Sequence, residues 1–110
     1  MNIYEIFSGD TPTLKFTVTN SDGSACDLTN ATVTFVGALY PDAAELAWSA
    51  TGTITNAAGG LCEYTMTADD TGVPGMYDCE LHIEWVSGVI LTADRFRIRI
   101  LRSMYVAPAP

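Results

Sequence analysis

An all-β fold, two antiparallel sheets stacked as a sandwich, is the class this sequence predicts. Three observations carry it. Apolar and polar residues alternate with a period of two through most of the chain, helical spacing is nearly absent, and clusters of Gly, Asn, Asp and Pro interrupt the alternation at short intervals. About seven strands within ~100 residues is the density of a β-sandwich, whose two sheets enclose one core.

The strands follow in order. "TLKFTVT" sets Leu14, Phe16 and Val18 on one face and Lys15 and Thr17 on the other. "ATVTFVGAL" repeats the pattern with Val33 and Phe35, and "LCEYTMT" groups Cys62, Tyr64 and Met66 opposite Glu63 and Thr65. In "GMYDCELHIEW", Tyr77, Cys79, Leu81, Ile83 and Trp85 alternate strictly with Asp78, Glu80, His82 and Glu84. "RFRIRI" sets Phe96, Ile98 and Ile100 against three arginines. Such segments are half-buried antiparallel strands, wet on one face. "NSDG", "NAAGG", "DDTGVPG" and "VSG" supply the reversals between them. The stretch Pro41–Trp48, "PDAAELAW", is either a short helix or a loop leading into a short edge strand. The Pro- and Ala-rich tail "SMYVAPAP" reads as an extended arm or linker stub, so the domain is placed at residues 1–102 and the arm at 103–110.

Composition narrows the function classes. A chain of 110 residues with 48% hydrophobic and 16% charged residues makes one folded domain and not a disordered segment. No apolar run approaches the ~20 residues of a membrane-spanning helix, so no membrane partner is expected. The opening "MNIYEIFSGD" lacks the basic and apolar regions of a signal peptide, which predicts a protein made and used without secretion. A formal charge of −8 repels phosphate backbones and argues against nucleic acid as a partner. Cys26, Cys62 and Cys79 are an odd set without a C-x-x-C pair, so they read as reduced thiols rather than a disulfide scaffold or zinc site. No cofactor is predicted.

Tyr77 stands two residues before Cys79, just after a Gly-rich bend, which is how one strand of an immunoglobulin domain often reads. The early strand offers Cys79 no cysteine partner. Cys62 faces inward on the preceding strand, and a Cys62–Cys79 bond stays open beside the reduced reading. Tyr77 is expected to form a tyrosine corner, its hydroxyl tied to the preceding loop. Tyr77, Cys79 and Trp85 are therefore structural, and the fold is an immunoglobulin-like β-sandwich.

Three longer stretches, "SGDTPTLKFTVTNSDGSACDLTNATVTF", "GGLCEYTMTADDTGVPGMYDCELHIEW" and "TADRFRIRI", carry a more specific likeness. Together, over roughly residues 3 to 101, the chain resembles the N-terminal domain of the phage baseplate upper protein family, an immunoglobulin-like module of tailed-phage structural proteins. The resemblance implies a virion component, in the baseplate, tail or neck or as a capsid decoration or head-fibre protein. It implies other virion proteins as partners, a multi-copy assembly, and no catalytic residues to carry over. Relatives often continue into further domains, so a copy ending near residue 110 is expected to act as a small virion protein in its own right.

Asp78, Glu80, His82 and Glu84 share a face, but alternate residues on a strand stand about 7 Å apart, too far to chelate one ion well. A tight hairpin at Ser87-Gly88 sets Glu80 opposite Arg95 and Asp78 opposite Arg97, which makes a charge ladder the simpler reading. The same register leaves Arg99 and Arg102 without acidic partners, hence the better docking candidates. With them stand the arm residues Met104, Tyr105 and Val106 and the N-terminal Ile3, Tyr4, Ile6 and Phe7, the last four equally readable as an ordinary first strand. His82 and Cys79 fall on opposite faces, a poor dyad, and no catalytic site is predicted. Asp69-Asp70 fits a plain turn better than a calcium loop. The rival function is a carbohydrate- or host-receptor-binding module, for which Trp48 is the one aromatic left without a place in the core. A third reading, a regulator binding a host target through its acidic surface, predicts salt-sensitive binding.

Overall fold

A computed structural model describes residues 2–41 and 45–103. Eight strands and, among the described residues, no helix make up the chain. They are β1 (Ile3–Phe7), β2 (Thr13–Thr17), β3 (Ala31–Leu39), β4 (Trp48–Thr51), β5 (Thr53–Asn56), β6 (Leu61–Thr65), β7 (Gly75–Trp85) and β8 (Ile90–Leu101). One sheet has the order β1-β8-β7-β3-β4 and the other β2-β6-β5. The all-β sandwich is as predicted, with one correction: β1 lies beside β8 and runs parallel to it, so the strands are not all antiparallel. The described part of Pro41–Trp48 holds no helix and leads into the edge strand β4; residues 42–44 lie outside the described residues.

The period-two pattern becomes burial directly. In β7, Tyr77, Cys79, Leu81 and Ile83 are buried while the residues between them are partly wet. Aromatic rings join the two sheets at the centre. Phe16 of β2 packs 5.4 Å from Phe35 of β3 and 5.1 Å from Phe96 of β8, ring centre to ring centre. Tyr64 of β6 stacks against Phe35 and Trp48 at 5.6 and 6.3 Å. Fully burying a side chain of this kind contributes about 1.5–3 kcal/mol, so these rings, with the buried aliphatic residues around them, hold the layers together.

Gly52 alone separates β4 from β5, where the chain crosses from one sheet to the other. A Cβ there would stand 2.5 Å from the Phe35 ring and 2.9 Å from the Glu63 carbonyl, so only glycine lets the crossing pass this close to the core. At Gly37, Trp48 of the neighbouring strand lies flat against the bare backbone; a Cβ would meet its indole at 2.5 Å. Trp48 is consequently 9% exposed, and its indole N–H has no hydrogen-bond partner among the described residues.

The link from β6 to β7 is tied down by side chains. Asp70 accepts hydrogen bonds from the Thr67 amide (2.9 Å) and from the Tyr64 hydroxyl, so its carboxylate closes a turn as expected for "DDTG". Thr71, fully buried, donates to the Asp10 carbonyl at 2.7 Å and accepts from the Gly9 amide at 3.1 Å. Tyr77 Oη donates to the Val73 carbonyl at 2.8 Å, which is the tyrosine corner predicted. Cys26, Cys62 and Cys79 are buried free thiols, and the bond left open between Cys62 and Cys79 is not made.

Candidate interaction surface

The outer face of the larger sheet carries the charge ladder. Arg95 Nη2 lies 3.1 Å from Glu80 Oε2, and Arg97 Nε donates to Asp78 Oδ1 at 2.8 Å. Arg97 also sits over the Tyr40 ring, 4.3 Å from its centre. His82 Nε2 is 2.9 Å from Glu80 Oε1. The register is the expected one, but it arises differently. The hairpin closes through Trp85–Val89, with the Trp85 amide donating to the Val89 carbonyl, and so pairs Glu84 with Ile90. A bulge between Leu81 and His82 then makes Ala93 the extra residue, and beyond it Glu80 faces Arg95. Without that bulge the rest of β8 would be displaced by one residue, turning its apolar face outward.

Arg99 needs correction. It lies 3.7 Å from Glu5, its register partner on β1, an acidic neighbour that was missing only because β1 had not been placed beside β8. Both side chains are about half exposed, so the pair is weak. Arg102 is exposed and forms no ion pair among the described residues. The N-terminal candidates divide by parity. Ile6 is buried and Tyr4 packs edge-on against Phe96 at 5.7 Å, whereas Ile3 and Phe7 are 51% and 52% exposed on the strand's other face. Met104, Tyr105 and Val106 lie outside the described residues. Trp48, on which the carbohydrate rival rested, is not a surface aromatic; it is packed over Gly37 and against Tyr64.

The structure adds a surface that alternation concealed. At the β7–β8 hairpin, Val86 is 87% exposed, Ile90 65%, and Val89 and Leu91 are also exposed. Beside them Trp85 is half-buried, its indole N–H donating to the Asp27 carbonyl at 3.2 Å. A shallow, open groove of about 530 Å³ lies here, lined among others by Trp85, Val89, Ile90, Leu91, Cys26 and Asp27. The signal was present in the sequence: "WVSGVIL" breaks the alternation with consecutive apolar residues on both sides of a turn. Exposed apolar runs of this kind are uncommon at a hairpin tip without a use. Asp27 on the rim is held ionised, its pKa lowered by hydrogen bonds from the Thr29 hydroxyl (2.6 Å) and amide (3.0 Å).

Comparison with known proteins agrees with this architecture. Residues 2–109 match the model of the family described as BppU N-terminal domain. Among solved structures, the chain is similar to the N-terminal domain of phage TP901-1 ORF48, with a TM-score of 0.66 at 11% identity, over 90% of this chain and 84% of that one. At that identity the likeness concerns the fold. A comparison with curated proteins gives no match.

Proposed function

The chain belongs to the BppU N-terminal domain family, that of the baseplate upper protein, and from that premise we propose that it is a non-enzymatic structural component of a tailed-phage virion. Membership supports a structural role beside other phage structural proteins. The observation that carries the reading is the family match across nearly the whole chain, residues 2–109. The mechanism is assembly. A sandwich spanning residues 1–102 presents its sheet edges, its apolar ends and the arm at 103–110 to neighbours. Arg102 and the apolar Met104, Tyr105 and Val106 are the contacts at the arm, and Ile3 and Phe7 are those at the β1 edge. The prolines of the arm lower the entropy lost when it docks.

The test is the mass of the purified chain by light scattering across concentration, at full length and truncated after Arg102. The reading expects a full-length oligomer that falls to the monomer on truncation. Equal masses for the two forms at every concentration would remove the arm from the mechanism.

A further inference from the structure

β8 begins beside an exposed apolar hairpin and leads at its other end into an apolar segment. The hairpin groove lies at the Ile90 end of the strand, and the arm leaves from the Leu101 end. A strand of 12 residues is roughly 36 Å long at ~3.3 Å per residue. Residues 102–110, even fully extended from Leu101, span at most about 32 Å. They cannot reach the groove of their own copy from the far end of β8. They can reach that of a second.

We infer that this shallow hairpin groove is the receptor for the arm of a neighbouring copy, residues 104–110 lying against Trp85, Val89, Ile90 and Leu91 beside Asp27. The inference rests on the arm-driven assembly proposed above and names what the arm binds. Chemistry favours this occupant. The arm, "MYVAPAP", is apolar and carries two prolines, and proline-rich segments dock in grooves lined by aromatic and apolar side chains. Charge agrees with it. The root of the arm bears the exposed Arg102, which forms no ion pair among the described residues, while the groove is lined by the ionised Asp27, and Glu84, the register partner of Ile90, is exposed. In a chain of net charge −8, most other exposed faces would repel a second copy, and a cation entering beside Asp27 offsets that repulsion. The contact joins unlike surfaces, so it forms a reciprocal pair, a ring or an open chain according to the rotation between copies.

The experiment uses two defective chains. Ile90→Asp keeps the arm and spoils the groove; truncation after Arg102 keeps the groove and removes the arm. Ile90 is 65% exposed, so the substitution leaves the fold intact, which circular dichroism and the thermal midpoint verify. Val89→Ser serves as a second groove variant. Each defective chain alone is expected to scatter as a monomer, and an equimolar mixture is expected to give a species of about twice the 11.8 kDa of one chain. If truncation abolishes association while Ile90→Asp and Val89→Ser associate like the parent chain, the groove is not the receptor, though the arm reading stands. If truncation has no effect, or the full-length chain never associates, both fail. A mixture that stays monomeric also overturns the inference.

Discussion

Cys79 offers a test of the core that runs through pH. The thiol is fully buried at the centre of β7, and burial, with a smaller contribution from the charge of Asp78, pushes its pKa from 9.0 up to about 12. The folded-state value is raised, so the stabilisation is fully present below pH 9 and is lost as pH rises from 9 towards 12. Each pH unit in that window is worth about 1.4 kcal/mol, so the full loss is about 4 kcal/mol and about 3 kcal/mol has gone by pH 11. That is a large share of the roughly 5–15 kcal/mol that holds a domain together. Cys79→Ala removes the titrating group at a cost of about 1–2 kcal/mol in lost packing at neutral pH. The two stability curves should therefore cross: the parent chain is the more stable at pH 7, and the alanine variant at pH 11. Urea unfolding followed by tryptophan fluorescence at pH 7, 9, 10 and 11 measures this. Tyr64, pushed up to about 12 by burial and by Asp70, destabilises both proteins alike above pH 10 and drops out of the difference. Parallel curves from pH 7 to 11 would show that the Cys79 thiol ionises without unfolding and would refute the argument.

Two further predictions concern the residues around it. Tyr77→Phe removes the 2.8 Å hydrogen bond to the Val73 carbonyl and should cost about 1 kcal/mol in urea unfolding, since Val73 is exposed and its carbonyl can turn to water; a cost near zero would take the corner out of the account. A double-mutant cycle of Asp78→Ala and Arg97→Ala should give a coupling of about 0.5–1 kcal/mol that shrinks as salt is raised, because the pair is only partly buried. No coupling at low salt would leave the ladder without energetic content.

The strands of the core were legible because each is buried on one face only. Leu14 and Phe16, Val33 and Phe35, Tyr77 to Ile83, and Phe96 to Ile100 all point inward as their alternation requires. The tyrosine corner was legible because a Gly-rich bend before Tyr77 fixes both ends of its hydrogen bond. The neighbour of β1 was not. "IYEIF" alternates adequately, but nothing in it says that it joins β8 in parallel, and Glu5 therefore went unrecognised as the partner of Arg99. Trp48 was left without a place in the core for a similar reason. Its shelter depends on Gly37, eleven positions earlier, and pairing between strands is invisible to a local pattern. The ladder's register was read correctly from a hairpin one residue tighter than the real one, and the bulge at Ala93 restored it. The apolar hairpin was visible in "WVSGVIL" but was taken only as a turn, because alternation directs attention to faces and not to tips.

The central claim is that this chain is built into a virion. Gradient-purified particles produced from the genome that encodes it, analysed by quantitative mass spectrometry beside the lysate, test that most directly. The account predicts that the chain co-purifies with intact particles at a fixed ratio to a major structural protein and persists through a high-salt wash. A chain abundant in the lysate but depleted from particles would contradict it.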